Sequence, residues 1–343
     1  MTVQIQVLQS KFKFCSWSVM RWGRTADLYA EKNKKFKMIN FTSYRKEEDI
    51  KFSMCSLGVK ESEGIKAIFN PYFFVPVNVI LSLTSLTGNI LILIALQEVS
   101  SLHSSSKLLF RCLSCTDLFV GLFSQPIFVT YLMAIANKNW NLCAVCESLA
   151  ITLSALLCGE SISTLTAISV DRLLALVLRL RYRQVVTFTR VRLFVIISWI
   201  NNIAFAMTYL WSRRFFFLGS CVWVLLCLGI SSCCYLKIYA SLRRHQAQVH
   251  GFQVNSGASL NMARYKKTVS GALWIYLTLV ACYLPYTIAT ALSTVRGFTP
   301  RNAIAWNISG ILVFLNSSLN PILYCWKIRE VRQAVKDAIR PCF

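Results

Sequence analysis

Residues 108–134 read LLFRCLSCTDLFVGLFSQPIFVTYLMA. Leu108–Ala134 is long and apolar enough to cross a bilayer, which takes about 20 predominantly apolar residues in an α-helix. One acid, Asp117, stands near its middle. A charged side chain at mid-bilayer costs roughly 3 kcal/mol on insertion scales, so such residues face the inside of a helix bundle and work there. The plainer alternative is an uncharged aspartic acid hydrogen-bonded for packing. Either reading requires neighbouring helices.

Six more stretches of the same kind supply them: Tyr72–Leu96, Cys143–Leu176, Val191–Trp211, Phe215–Leu242, Thr268–Leu292 and Ala303–Trp326. The breaks between them are short and polar, so consecutive helices run antiparallel. The stretch Cys143–Leu176 is longer than a bilayer needs and must tilt or project into the cytosol. The expected fold is an all-α integral membrane protein, a bundle of seven transmembrane helices over 71–326. Composition agrees, since 55% of the 343 residues are hydrophobic and only 15% charged. Soluble domains average about 25% charged residues. The net charge of +23 points to anionic lipid rather than nucleic acid, because Lys and Arg lie between apolar runs. Most of the 14 cysteines lie inside those runs, where they behave as small hydrophobes. No matching second pair accompanies Cys143 and Cys146, which argues against zinc.

Alternate breaks, Glu98–Lys107, Arg179–Arg190 and Arg243–Lys267, together with the tail after Trp326, hold most of the Lys and Arg beyond residue 66. The positive-inside rule makes them cytoplasmic. The opposite breaks hold few: Lys138, Arg213, Arg214, Arg296 and Arg301. The N-terminus is then outside. Residues 1–70 form an extracellular tail, whose first 66 residues are basic and contain no apolar core for a cleavable signal peptide. Two readings stay open, a real tail or an upstream extension with Met38 or Met54 as the true start. Asn40-Phe-Thr42 is a glycosylation sequon if the tail is real, and Asn307-Ile-Ser309 is a weaker one. At the other end, 327–343 interleaves charges with Ile328, Val331, Ala334, Val335 and Ala338. That pattern fits a short amphipathic helix lying on the cytoplasmic membrane surface, and Cys342 is a candidate for acylation.

Asp117 has polar company. Asn89, Ser161, Asn316, Ser317 and Asn320 also interrupt apolar stretches. Asn316 and Asn320 are four apart and share one helix face. A carboxylate ringed by hydroxyl and amide oxygens suits a hard cation, and Na⁺ matches its single charge. Pro285 and Pro321 break the hydrogen-bond ladder of their helices. Glu160, a second acid inside an apolar stretch, either pairs with a ligand or proton or is protonated and inert.

Gly88-Asn89, Leu113-Ser-Cys-Thr-Asp117-Leu, Asp171-Arg172-Leu173, Trp199, Pro285 and Asn320-Pro-Ile-Leu-Tyr324 resemble, in order and position, the motifs of rhodopsin-like (class A) G-protein-coupled receptors. The resemblance runs from about Pro71 to the C-terminus. Within that class, Leu180-Arg-Tyr-Arg-Gln-Val-Val-Thr187 and Tyr235-Leu-Lys-Ile look similar to the adenosine and melanocortin receptors. The resemblance implies a multi-pass plasma-membrane receptor without enzymatic chemistry. Its partners would be an extracellular ligand, a heterotrimeric G protein and membrane lipid. No cofactor is implied beyond an allosteric Na⁺ held by the residues matching Asp117, Ser161, Asn316 and Asn320, with Ser317 beside them. Arg172 matches the arginine that meets the G protein, restrained at rest by Asp171. Tyr235 and Tyr324 match tyrosines that turn inward on activation. Many such receptors restrain this arginine with a second acid at the cytoplasmic start of helix six; here that start reads Ala263-Arg-Tyr265-Lys-Lys267, so high basal signalling is expected. The usual disulfide from helix three to the following extracellular loop is absent, because the break around Ser212–Phe216 has no cysteine. Cys146 is left without that partner.

The pocket expected from the resemblance comprises Ser154, Cys158, Tyr283, Tyr286, Thr287, Thr290 and Phe314. Ser154 or its neighbour stands where amine receptors carry an aspartate, Ala150 near the arginine of charged-lipid receptors, and Phe314 where a retinal pigment has its lysine. Thr290 and Phe314 replace the Asn and His of adenosine receptors. An apolar pocket with a few hydroxyls suits a small neutral or lipid-derived ligand. The competing class is a transporter or ion channel with Asp117 in the permeation path. Transporters typically show internal repeats and broken helices; no segment here recurs, and Asp171-Arg172 has no role in a channel.

Overall fold

A backbone crossing hydrocarbon must satisfy its own N–H and C=O groups, so each apolar stretch closes into a helix. The computed structural model describes Cys55 and residues 71–98, 103–178, 181–251, 256–297, 299–327 and 332–335. Among the described residues, seven helices are long and apolar enough to span a membrane. They are α1 (Pro71–Glu98), α2 (Ser104–Ala136), α3 (Trp140–Leu178), α4 (Phe188–Trp211), α5 (Arg213–Gly251), α6 (Ser256–Arg296) and α7 (Pro300–Lys327).

α3 runs through the centre and touches α2, α4, α5 and α7, while α6 bridges α5 and α7, and α1 closes against α2 and α7. α2 contains a π-turn at Val120–Ser124. Pro126 follows directly; its ring cannot coexist with regular α-helical bonding to the turn before it, and widening that turn relieves the clash. α1 and α7 approach so closely that a Cβ on Gly88 would lie 2.9 Å from the ring of Pro321. Glycine is required at that crossing.

Several helices outrun the stretches read from sequence. α5 and α6 continue past Leu242 and start ahead of Thr268 because hydrophobicity ends at the membrane surface, whereas helical hydrogen bonding does not. The break between α4 and α5 narrows to Ser212, which is extended (φ −150°, ψ 111°) and accepts a hydrogen bond from the Phe215 N–H at 3.3 Å. The side chains of Arg264, Tyr265, Lys266 and Lys267 lie outside the described residues, as do Asn40, Cys342 and most of the C-terminal amphipathic segment. Residues 332–335 of that segment are helical, and Ala334 packs on Ala95 of α1. Arg332 donates to the carbonyls of Cys325 and Trp326 at 2.9 and 2.7 Å, closing the end of α7.

The Trp140 end of α3 is braced differently from expectation. Cys143, in the first turn of α3, is disulfide-bonded to Cys55, 88 residues earlier. Cys146 is a buried thiol. Asn307 corrects a second reading. It is 1% exposed inside α7, with its amide donating to Ala303 O at 2.8 Å. A glycan cannot be attached to a side chain enclosed in this way.

Candidate functional site

Asp117 is fully enclosed where α1, α2, α3 and α7 meet. Its Oδ1 accepts from Ser161 Oγ of α3 at 3.0 Å, and its Oδ2 from Asn320 Nδ2 of α7 at 2.7 Å. Ser317 is a further hydrogen-bond partner of the carboxyl. From α1, Ser85 donates to the Asp117 carbonyl at 2.7 Å, while Asn89 donates to Ser317 O at 3.2 Å. Asn316 is buried on α7 with both amide atoms unpartnered among the described residues, as is Asn320 Oδ1. No basic side chain pairs with Asp117 among the described residues. Orphaned buried oxygens beside a carboxyl without a counter-charge are what a small hard cation would satisfy, since unpaired buried polar groups are otherwise costly.

Near the Leu178 end of α3, the Arg172 guanidinium lies 3.3 Å from Asp171 Oδ2. Asp171 also accepts from Ser106 Oγ of α2 at 2.9 Å and from Tyr182 Oη at 2.6 Å. Burial, reinforced by the bond to Asp171, pushes the Tyr182 hydroxyl up to about 12. It therefore remains a proton donor throughout the physiological range. Arg172 sits 5.8 Å from the centre of the Phe110 ring, and Phe110 meets Tyr324 of α7 edge-on at 5.2 Å. Tyr324 is 1% exposed, and its hydroxyl has no partner among the described residues. Tyr235 of α5 lies 3.5 Å from Ser169 of α3 and packs on Tyr276 of α6 at 5.0 Å. Tyr276 also shares a hydrogen bond with Ser232 of α5. Pro285 and Pro321 sit inside α6 and α7 as expected from the sequence.

Nearer the Trp140 end of α3, a cavity of about 100 Å³ opens between the helices. Ser154, Cys158, Tyr283, Tyr286 and Phe314 line it. Ser154 shares a hydrogen bond with Ser124 of α2 at 2.5 Å, and Tyr283 donates to Cys158 O at 3.2 Å. Thr287 and Thr290 are buried but lie outside this lining. Each sits one turn from a tyrosine, and the longer tyrosine side chain is the one that reaches the cavity. The Thr287 hydroxyl is bonded back to Tyr283 O at 2.9 Å.

Sequence reasoning missed Phe128, Trp223 and Trp306, which are ordinary apolar positions without structural context, and it missed Glu147. That acid lines the cavity from α3, is 3% exposed, and lies 3.8 Å from the Arg213 guanidinium. Arg213 in turn covers the Tyr209 ring at 5.1 Å. The pocket is thus not limited to apolar groups and hydroxyls. The same signal that marked Asp117, an acid in an apolar stretch, was present at Glu147, but its place near the stretch's start reads as headgroup level.

Glu160 does not line the cavity. It accepts from Ser198 Oγ and Asn202 Nδ2 of α4 at 2.7 and 2.8 Å, with the Cys112 thiol of α2 at 3.9 Å, so it ties three helices together. A Cβ on Gly159 would lie 2.8 Å from Asn202 Oδ1; glycine at that position lets Asn202 reach Glu160.

A family model for the 7 transmembrane receptor (rhodopsin family) matches residues 88–215 and 202–324. Adenosine receptor A3 of Ovis aries is 22% identical over 295 residues, covering 78% of this chain and 90% of the relative. Adenosine receptor A3 of Canis lupus familiaris is 25% identical over 288 residues, 76% of this chain and 88% of the relative. Histamine H2 receptor of Rattus norvegicus is 26% identical over 282 residues, with 75% and 76% covered.

Proposed function

The chain belongs to the rhodopsin family of seven-transmembrane receptors, and from that premise we propose that it relays binding of an extracellular ligand in the cavity to a heterotrimeric G protein at Arg172. The observation that carries this reading is the continuity of α3. One helix lines the cavity with Glu147, Ser154 and Cys158 and holds Arg172 against Asp171 near its other end. From Ser154 to Arg172 is about 27 Å at 1.5 Å per residue. A ligand that biases the packing of α3 against α6 and α7 would therefore bias the Arg172 end as well.

The ligand is a small molecule with a mainly apolar body. Aromatic side chains from four helices stand in the cavity wall: Phe128, Trp223, Tyr286 and Phe314. The relatives' names point to adenosine and histamine, but the amine-binding aspartate is replaced by Ser154, whose hydroxyl is engaged with Ser124. Sodium would be held by Asp117, Ser161, Asn320, Asn316 and Ser317, and would supply positive charge that stabilises the resting packing of α2, α3 and α7. Release of that packing would let Tyr324, with its unpartnered hydroxyl, turn inward beside Tyr235. The protein acts in the plasma membrane with its N-terminus outside, as the placement of Lys and Arg supports.

The test is nucleotide exchange on purified G proteins with the full chain in nanodiscs. Exchange above a receptor-free control, abolished by Arg172→Ala, is expected for at least one G-protein family. Exchange equal to the control for every family would overturn the coupling.

A further inference from the structure

Cys143, Cys146, Glu147 and Ala150 fall at positions i, i+3, i+4 and i+7 of α3, so they share one helix face. That face is turned inward. The four side chains are 0% to 6% exposed, whereas Leu142, Val145 and Leu149 on the other side are 42% to 58% exposed. Cys55 joins Cys143 and Cys146 in the same buried cluster. The Cys55–Cys143 disulfide therefore lies one helical turn from a free thiol, Cys146. Disulfides persist in oxidising surroundings, which agrees with the proposed placing of the N-terminus outside. A thiol kept free beside a disulfide in such surroundings calls for a reason. The spacing Cys143-Ala-Val-Cys146 is the Cys-x-x-Cys of thiol–disulfide exchange. It lies at the start of its helix: the Cys143 N–H donates to Asn139 O at 2.9 Å, and the Leu142 N–H to Asn139 Oδ1 at 3.2 Å.

We infer that Cys143 and Cys146 form an exchange pair that releases Cys55, and with it the N-terminal tail, from α3. The Cys146 thiolate attacks Cys143 Sγ. The Cys143–Cys146 bond forms as the Cys55–Cys143 bond breaks, and Cys55 leaves as a thiolate that takes up the proton Cys146 gave up. One disulfide and one thiol stand on each side of the step, so no oxidant or reductant is consumed. Residues three apart on an α-helix have Cβ atoms about 5–6 Å apart, and a disulfide needs about 3.8 Å. A 3₁₀ turn eclipses i and i+3 and is frequent at helix N-termini, so tightening one turn near the start of α3 closes that distance. Transfer of Cys55 onto Cys146 is the poorer course, because it carries the tail about 4.5 Å along α3. The exchange opens the loop closed between Cys55 and Cys143, 88 residues apart. It also tightens the turn that carries Glu147, the residue after Cys146, into the cavity wall. The state of the tail and the shape of the cavity are thereby coupled by one chemical step.

Disulfide mapping of the full chain in nanodiscs, held in glutathione buffers of graded poise, reads the exchange without ligand or G protein. After acid quench and alkylation, trypsin cuts at Lys51, Lys60, Lys138 and Arg172. Cys55 and the Cys143/Cys146 pair then lie on separate peptides, 52–60 and 139–172. Wild type should pass through a state with Cys55 alkylated and Cys143 bonded to Cys146 within peptide 139–172. Because the attacking thiol is already in place, Cys55 should be released roughly tenfold or more faster than in Cys146→Ser. Cys146→Ala provides the same comparison if the serine variant proves unstable. Release should also quicken as pH rises, since the thiolate is the attacking species. Equal release rates in wild type and both variants would overturn the proposal, as would a Cys55 that is never released or is recovered on Cys146. Release of Cys55 without any Cys143–Cys146 bond would overturn it too.

Discussion

Asp117 and Arg172 differ in how much of their role can be read from a linear string. Asp117 announces itself as a lone acid in an apolar run, and its carboxyl accepts from Ser161 Oγ of α3 at 3.0 Å and from Asn320 Nδ2 of α7 at 2.7 Å. Sodium bound there would stabilise the folded receptor by RT ln(1 + [Na⁺]/Kd), about 1.4 kcal/mol at ten times Kd. The melting temperature should rise with Na⁺ in wild type and be insensitive to it in Asp117→Asn. Equal sodium shifts in the two would refute the site. For Arg172, the neighbouring acid was legible, whereas the Phe110 ring beneath the guanidinium and the Tyr182 and Ser106 bonds on Asp171 were not. Those partners come from α2 and the turn after α3, and only the bundle brings them together.

At the scale of elements, α5 and α6 are joined by Ser232 and Tyr276, a contact no motif revealed. On the reading that a helix-six acid is missing, this contact would offset part of that loss. An exposed ion pair is worth about 0–1 kcal/mol, and a net hydrogen bond about 1 kcal/mol. Tyr276→Phe should therefore raise agonist-independent nucleotide exchange several-fold, and Tyr265→Glu, which places an acid beside Lys266 and Lys267, should lower it. Unchanged exchange in both variants would show that α6 is held elsewhere. The extracellular elements make a separate prediction. Cys55–Cys143 closes a long loop onto α3, and such bonds typically contribute about 2–4 kcal/mol. Cys143→Ser and Cys55→Ser should lower thermal stability and surface expression together, while Cys146→Ser leaves expression near wild type. A loss confined to Cys146→Ser would mean the bridge is misassigned. The bridge was hidden in the sequence because nothing in the spacing of the cysteines says which tail residue returns to the top of α3.

For the whole molecule, the placement of Lys and Arg between spans predicts an orientation with the N-terminus outside. An epitope placed before Cys55 should be reached by antibody on intact cells, and one after Lys327 only after permeabilisation; the reverse pattern would invert the topology. The number of spans, their antiparallel order, the acid at their centre and the motif set at α3, α6 and α7 were all determined by the sequence alone. The physical reason is that the bilayer imposes a length and a polarity on each helix separately, so each can be read in isolation. The cavity lining, the Glu147–Arg213 ion pair and the tie from Glu160 to α4 were decided only by tertiary structure. They depend on the rotation of each helix about its axis. In a span apolar on nearly every side, that rotation leaves little periodic trace in the sequence and is set by contacts such as Asn202 to Glu160 and Gly88 against Pro321.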